Sequence, residues 1–547
     1  MAERQPRAPR MGLVLSASAA GTVFEWYDFF IFGSLLSIVS KHFFAGAGET
    51  QGYIFALLTF AVGFAARPFG GLVFGYFGDR KGRKRAFLFT ITIMGLATFA
   101  IGLLPDTATI GNLAPYLLIG LRICQGFAVG GEYGGAAIYV AEHAQPDKRG
   151  AATGWIQVAA TAGLFLALCV ILGVRTWLGE DAFAAWGWRL PFLFSLGLLV
   201  ISIWIRLKLD ESPAFKQLVA DGTTARAPLS EAFLRWTNLR RVLVVLVGLL
   251  TGQGAVWYTA QFYTQFFLER VTKVEPRMVN MLILSVTVLS AILHIFFARL
   301  SDRVGRKPVM LFGLGLATLF FIPGFHWLTA AVNPGLTEAI ARAPVTVFAA
   351  PAECSFQFDP VGTKKFASSC DIAKSTLANL GVPYRNEPAE PGTLARIRIG
   401  TATVSSIDGT VLAPSALAVA QNNFRAELKP ALAAAGYPAK ADPARINAPL
   451  AILVLTIIVL ASAALYGPQA AALVELFPTR IRYSALSLPY HLGVGWFGGF
   501  LPAIAFAIVA ATGNLYAGLW YPVSIAAVGF VVTLLFLPET RGRDINV

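Results

Sequence analysis

The sequence predicts an all-α membrane protein: twelve transmembrane helices in two six-helix halves, with a small α+β extracytoplasmic insertion between helices 9 and 10. Three observations carry this reading. The chain is 56% hydrophobic and only 14% charged, with a mean hydropathy of +0.63, more apolar than a water-exposed domain. Apolar runs of membrane-spanning length recur along it. Three landmarks of the first half return in the same order in the second.

The apolar runs cover roughly 12–40, 51–77, 86–105, 113–141, 151–176 and 188–209, then 242–268, 278–298, 308–330, 449–474, 484–512 and 516–537. A hydrocarbon core about 30 Å thick needs ~20 helical residues, and lipid leaves the backbone no partner except the helix itself. The formal charge of +14 is sorted by side. Even-numbered connections hold Arg80, Lys81, Arg83, Lys84 and Arg85, then Lys148 and Arg149, then Arg299, Arg303, Arg306 and Lys307, then Arg480 and Arg482. The N-terminus adds Arg4, Arg7 and Arg10, and the C-terminus Arg541 and Arg543. The positive-inside rule therefore puts both termini in the cytoplasm. The basic charge reads as topology, and no nucleic-acid partner is expected. The apolar run behind the basic N-terminus is long and lacks a small-residue cleavage site, so it reads as a first span.

Five segments follow: 1–209, a six-helix half; 210–240, a polar cytoplasmic linker; 241–330, helices 7–9; 331–447, the insertion; and 448–547, helices 10–12 with a cytoplasmic tail. GYFGDRKGRK (75–84) is answered by ARLSDRVGRK (298–307), AEHAQPDKRG (141–150) by VELFPTRIRY (474–483), and LDESPAF (209–215) by LPETRGRD (537–544). Such a parallel repeat is the plan of alternating-access carriers. In the insertion, VTVFAA, CSFQF and ARIRIGTATV read as strands, and KKFASSCDIAKSTLANLG and ALAVAQNNFRAELKPALAAAG as amphipathic helices. Topology places it outside, where Cys354 and Cys370 are expected to form a disulfide. Cys124 and Cys169 read as buried thiols within spans.

The repeated loops carry the first chemistry. Gly75 and Gly82 permit close helix approach and a tight turn, Asp79 stands at a helix end, and Arg80 and Arg83 can reach Glu142 at the end of span 4. The second copy offers Asp302, Arg303, Gly305 and Arg306, with Arg149, Glu475 and Arg480 nearby. We expect a cytoplasmic charge clamp that opens during a transport cycle. A loop that only sets orientation explains the charges, but not Asp79, Gly82 and their repeated spacing.

At these residues the chain resembles the major facilitator superfamily. GTVFEWYDFF, RPFGGLVFGYFGDRKGRK, LRICQGFAVGGEYGGAAIYVAE, WGWRLPF and YGPQAAALVELFPTRIRYSA resemble its metabolite:H+ symporter branch, which includes α-ketoglutarate, citrate, shikimate and proline or betaine permeases. The resemblance implies proton-driven uptake of a small polar metabolite across a bacterial inner membrane, with residues 331–447 periplasmic. Two departures stand out. Ala298 replaces the first glycine of the second signature loop, so the second clamp is expected to pack less tightly. Most of the branch lacks the 331–447 segment.

Charges inside spans cost about 2.5–3.5 kcal/mol each at helix centre, so they face the bundle. Asp28 and Arg122 read as a proton-coupling site. Glu25 and Glu132 stay open between that task and a static ion pair. Gln253, Trp257, Tyr258 and Gln261 fall on one face of span 7 and can line a polar cavity, with Gln157, Tyr466, Gln469, Tyr490 and His491 as further wall candidates. His294 reads as a packing residue. GGEYGG and GVGWFGG lie within apolar helices and read as close-packing sites, not phosphate loops. With no HExxH, CxxC or nucleophile-elbow pattern, neither catalysis nor a metal or cofactor is expected. The expected partners are a small-molecule substrate, protons and the lipid bilayer. No oligomeric state is readable, and a monomer suffices. The open alternatives are a uniporter or drug/proton antiporter of this fold, or a membrane-anchored sensor using the outer domain.

Overall fold

The computed structural model describes residues 11–44, 49–208, 210–357 and 366–545, so Arg4, Arg7 and Arg10 lie outside the described residues. The long helices are α1 (Met11–Ser34), α2 (Glu49–Lys81), α3 (Arg83–Leu103), α4 (Leu113–His143), α5 (Arg149–Leu178) and α6 (Arg189–Leu207). They continue as α7 (Trp236–Val271), α8 (Pro276–Val304), α9 (Arg306–Val332), α10 (Ala448–Leu476), α11 (Arg482–Thr512) and α12 (Ala517–Phe536). Among the described residues, the ten from α3 to α12 are long and apolar enough to cross a membrane. Their outward faces carry side chains such as Trp177, Trp204, Leu319 and Leu535, all exposed, as a lipid-facing surface requires. Cys124 and Cys169 belong to that outer face, not to the interior: Cys124 follows the buried Arg122 by two positions, about 200° around a helix.

The glycines of α2 and α4 set the closest approach. A Cβ on Gly70 would strike the carbonyl of Phe127, and one on Gly126 that of Gly63. Small residues that let two backbones touch supply the packing energy a bilayer does not. The first six and last six helices meet along two seams, α2 against α11 and α5 against α8. Two helices are interrupted by π turns: α7 at Leu246–Leu250, Thr259–Tyr263 and Phe267–Val271, and α11 at His491–Trp496.

The insertion carries a four-stranded sheet in the order β2-β1-β3-β4, from β1 (Val345–Ala349), β2 (Tyr384–Pro388), β3 (Arg396–Ile399) and β4 (Ala402–Ser405). Helices Ser369–Asn379 and Pro414–Ala434 accompany it. CSFQF is not a strand: Pro351–Glu353 is a 3-10 turn, Cys354–Gln357 are irregular, and Phe358 lies outside the described residues. Cys354 is bonded to Cys370, and Ser355 caps back onto the Asp371 carboxylate through its amide (2.8 Å) and hydroxyl (2.5 Å), so the segment follows the helix rather than a ladder. YRNEP forms an edge strand that sequence reading misses, since Arg, Asn, Glu and Pro are poor strand formers.

The insertion is tied to the ends of α7 and α11. The Tyr384 amide donates to the Gly513 carbonyl (2.9 Å) and the Tyr384 hydroxyl to the Ala510 carbonyl. Beyond α7, Lys273 donates from Nζ to the Pro438 carbonyl (3.0 Å) and accepts from the Ala441 amide (3.0 Å). Burial holds the Lys273 ammonium down to about 8, against 10.5 for a free lysine. Between those values the unfolded chain binds more protons than the folded one, so stability rises with pH across that window. We expect Lys273→Met to flatten the rise in melting temperature between pH 8 and 10.5; an unaltered pH profile would exclude Lys273 as its source.

Candidate functional site

A cavity of about 20 Å³ lies between the two groups of six helices, room for a water or two. Its wall is aromatic: Trp26, Tyr133, Trp257, Tyr258, Tyr466 and Tyr490. The Tyr133 and Tyr490 rings stack at 3.9 Å, across the seam between α4 and α11. The Tyr466 and Tyr490 hydroxyls stand 3.2 Å apart, and Trp26 meets Trp257 at 5.9 Å. Four polar groups complete the wall: Glu25, Arg67, Gln253 and His491. Arg67 is clamped between the Phe64 and Phe29 rings, at 4.2 and 4.9 Å. Gln253 Oε1 and His491 Nε2 are buried with no hydrogen-bond partner. Unmet buried polar atoms are costly, and here they face a space where a ligand would satisfy them.

The cavity thus gathers Gln253, Trp257, Tyr258, Tyr466, Tyr490 and His491 from the sequence-predicted wall. Gln157 stands behind it, donating to the Tyr133 hydroxyl at 3.2 Å. Gln469 is fully buried, and neither it nor Gln261 belongs to the wall. Gln261 falls within the π turn Thr259–Tyr263, whose wider winding breaks the 3.6-residue face on which it was placed. Trp26 and Tyr133 were missed. Both stand in the motifs FEWYDFF and GGEYGG, where a packing role accounts for an aromatic equally well.

Beside the cavity, Asp28 and Arg122 are joined through intermediates. Arg122 Nη1 donates to Gln125 Oε1 (2.9 Å), Gln125 Nε2 donates to Thr98 Oγ1 (2.7 Å), and the Thr98 hydroxyl lies against the Asp28 carboxyl. Asp28 Oδ1 is buried without a hydrogen-bond partner. Glu25 has Glu132, Arg67, Arg206 and Asp28 as its charged neighbours. Glu132 is held by Arg206 Nη2 at 2.6 Å and by the Thr90 hydroxyl at 2.7 Å. Arg206, at the end of α6, had no place in the sequence reading.

Below the cavity the two signature loops form a two-sided clamp. Asp79 accepts from the amides of Tyr483 (3.1 Å) and Ser484 (2.8 Å) at the start of α11. Asp302 accepts from Gly150 (2.9 Å) and Ala151 (2.7 Å) at the start of α5. Each carboxylate caps a helix of the opposite six, meeting orphan N–H groups and the positive end of the dipole. Arginines tie each Asp to an acid of its own six. Arg83 stands 3.4 Å from Asp79 and 4.0 Å from Glu142. Arg306 pairs with Asp302 at 2.6 Å and Glu475 at 3.1 Å. A second cation crosses each seam: Arg482 to Glu142 at 2.6 Å, and Arg149 to Glu475 at 3.9 Å.

Arg80, Arg303 and Arg480 are not in this network. Arg80 and Arg303 are exposed, and Arg480 pairs with Glu231 of the linker at 2.6 Å. The fourth residue after each Asp returns to its face of the helix and the next residue does not, so the buried cations are Arg83 and Arg306. Arg482 takes the place expected of Arg480. Gly75 packs on the Ser484 backbone. Gly82 and Gly305 turn the chain at φ 107° and 105°, a region almost closed to other residues. Ala298 does not loosen the second side. It is fully buried, and its methyl faces Gly154, where a Cβ would come within 2.7 Å; the missing glycine is supplied by the facing helix.

The echo between LDESPAF and LPETRGRD has a local cause. Glu211 accepts from the amides of Arg83 (3.1 Å) and Lys84 (3.1 Å), and Glu539 from those of Arg306 (2.9 Å) and Lys307 (3.0 Å). These acids cap α3 and α9.

A family model described as "Sugar (and other) transporter" matches residues 13–232 and 431–546, and one described as "MFS/sugar transport protein" matches 135–351. The chain is 36% identical over 332 residues to the glycine betaine/proline/ectoine/pipecolic acid transporter of Dickeya dadantii, covering 59% of this chain and 66% of the relative. It is 38% identical over 329 residues to the shikimate transporter of Escherichia coli, with 59% and 73% covered. It is 35% identical over 325 residues to the E. coli proline/betaine transporter, with 58% and 65% covered. The chain therefore spans just under two thirds of the betaine and proline relatives. Among solved structures, the proton:xylose symporter XylE bound to 6-bromo-6-deoxy-D-glucose matches with a TM-score of 0.63 at 16% identity, covering 98% of each chain. That likeness speaks for the fold alone.

Because Glu211 and Glu539 cap equivalent helices, their loss has equivalent effects. We expect Glu211→Ala and Glu539→Ala each to cost about 1 kcal/mol, read as similar drops in melting temperature in detergent. A drop for one alone would break the equivalence.

Proposed function

Since the chain belongs to the major facilitator superfamily, in its metabolite–proton symporter branch, we propose that it imports a small carboxylate-bearing metabolite together with protons by alternating access. In this reading twelve spans form two six-helix halves in a bacterial inner membrane, with both termini cytoplasmic and residues 331–447 periplasmic. The observation that carries it is the cavity between the halves, walled by six aromatic rings, one guanidinium and one carboxylate, above a closed charge clamp.

The wall suits a zwitterion better than a polyanion. Arg67 offers a guanidinium to a substrate carboxylate, while the faces of Trp26, Trp257, Tyr133 and Tyr490, with Glu25, suit a cationic ammonium. The names carried by the relatives, betaine, proline and shikimate, all denote small carboxylate-bearing molecules. Substrate enters from the outside, the halves rock about it, and the clamp releases. An ionised carboxylate in hydrocarbon must be matched by a cation or neutralised by a proton. Asp28 meets that requirement through the Thr98–Gln125–Arg122 chain, and exchanging the proton there ties the chain's arrangement to the gradient. Glu132, already held by Arg206, serves as a fixed pair.

A thermal-shift screen with glycine betaine, proline, shikimate and citrate identifies the ligand. We expect Arg67→Gln to weaken its binding by about 10- to 100-fold. In liposomes, Asp28→Asn is expected to bind the ligand normally but to lose accumulation driven by a pH gradient. Unchanged ΔpH dependence in Asp28→Asn, with loss in Glu25→Gln, would move the proton site to Glu25 on the cavity wall.

A further inference from the structure

The two sides of the clamp correspond residue by residue, except at one position. In α11 the first three residues are Arg482, Tyr483 and Ser484; in α5 they are Arg149, Gly150 and Ala151. Both second residues give their amide to the capping Asp. One of them is a tyrosine and the other a glycine.

Tyr483 is fully buried, and its ring enters a socket on the opposite six helices. A Cβ on Gly78 of α2 would strike that ring and no other group within 4 Å. One on Gly135 of α4 would come within 2.6 Å of the Tyr483 hydroxyl, and one on Gly134 within 3.2 Å of the ring edge. At the floor of the socket the hydroxyl donates to the Gly131 carbonyl at 2.5 Å. The other side has no such room. A Cβ on Gly150 would already lie 2.5 Å from the Ala298 carbonyl and 2.7 Å from Arg306 Nη1.

We propose that Tyr483 is the bolt of the cytoplasmic clamp, a positioning residue whose withdrawal from the Gly78–Gly131–Gly134–Gly135 socket must precede opening on the α2–α11 side. The clamp is then unequal. The α5–α8 side is held by ion pairs and caps, which water and salt can exchange. The α2–α11 side is held in addition by a side chain that must leave a fitted hole. The glycines of GGEYGG gain a task beyond close packing: three of its four positions line the socket. Opening on this side also uncovers the backbone beside Glu132, since Gly131 supplies the carbonyl the bolt engages.

The proposal rests on the alternating-access reading, and its test reads the clamp alone, without substrate or a proton gradient. In a background with Cys124 and Cys169 replaced by serine, Ser487→Cys places a thiol at the buried seam, and a membrane-impermeant maleimide is applied from the cytoplasmic side. Tyr483→Phe keeps the ring and loses the hydrogen bond, so labelling is expected to rise about fivefold. Tyr483→Ala empties the socket and is expected to raise it further. Gly78→Ala crowds the socket, so it should raise labelling in the parent and do nothing in Tyr483→Ala, the non-additivity expected of two groups in direct contact. An equal effect of Gly78→Ala in both backgrounds would show only a helix-packing role and overturn the bolt. So would parental labelling rates in both Tyr483→Phe and Gly78→Ala, a comparison that holds even if Tyr483→Ala does not fold.

Discussion

The structure depends on two carboxylates that end one helix by starting another. Asp79 closes α2 and caps α11; Asp302 closes α8 and caps α5. The first N–H groups of a helix have no intrahelical partner, and at a seam between two bundles they have no water either. An acid from across the seam meets both the unpaired donors and the positive end of the dipole. The same acid needs a cation, which its own loop supplies four residues on. Closure is therefore written into the geometry: neither six-helix group can satisfy its own helix start alone. Removing one partner of such a buried set typically costs 3–5 kcal/mol, so opening requires a replacement, from water at the widening mouth or from binding energy above.

Symmetry explains why the arrangement is stable and asymmetry why it can be directional. Glu211 and Glu539, Lys84 and Lys307, Glu142 and Glu475 hold equivalent places and make equivalent bonds. Lys84 reaches the Leu207 carbonyl at 3.0 Å, and Lys307 the Leu534 carbonyl at 2.8 Å. The C-terminal tail breaks the pairing. The Ile545 carbonyl accepts from Arg482 at 2.5 Å, and the Arg543 carbonyl from Arg149 at 2.9 Å. One strand of chain thus holds a clamp arginine from each side. Its presence on the closed face makes the clamp a three-part assembly.

Much of this was legible in the sequence, and the failures have physical causes. Repetition exposed the clamp because GDRxGR tolerates little variation: the glycine needs its φ, the Asp its helix end and the second arginine its four-residue spacing. Which arginine acts was not legible, because Arg80 and Arg83 are alike in composition and differ only in helical phase. Arg482 was passed over for Arg480 for the same reason. Gln261 failed because a π turn changes the phase and leaves no signature in one sequence. Arg206 was invisible because its partner Glu132 lies far away along the chain. Ala298 misled because packing is a property of two surfaces, and the compensating Gly154 is on the other one.

The small central cavity links these parts. Sites for small molecules usually offer about 300–1,000 Å³, far more than the space found here, so a ligand must part the walls as it binds. The tightest part of that wall is the Tyr133–Tyr490 stack, the contact of α4 with α11. Tyr490 and Tyr483 are both on α11, seven residues apart, or about two turns. Tyr133 and the Gly131 carbonyl are both on α4, two residues apart. A ligand that separates the two rings therefore works on the helix pair that Tyr483 joins nearer the cytoplasm. Protein interiors pack too densely to absorb such a displacement locally, so it is passed along both helices toward the clamp. The aromatic wall is then both the recognition surface and the short arm of the lever that opens the gate.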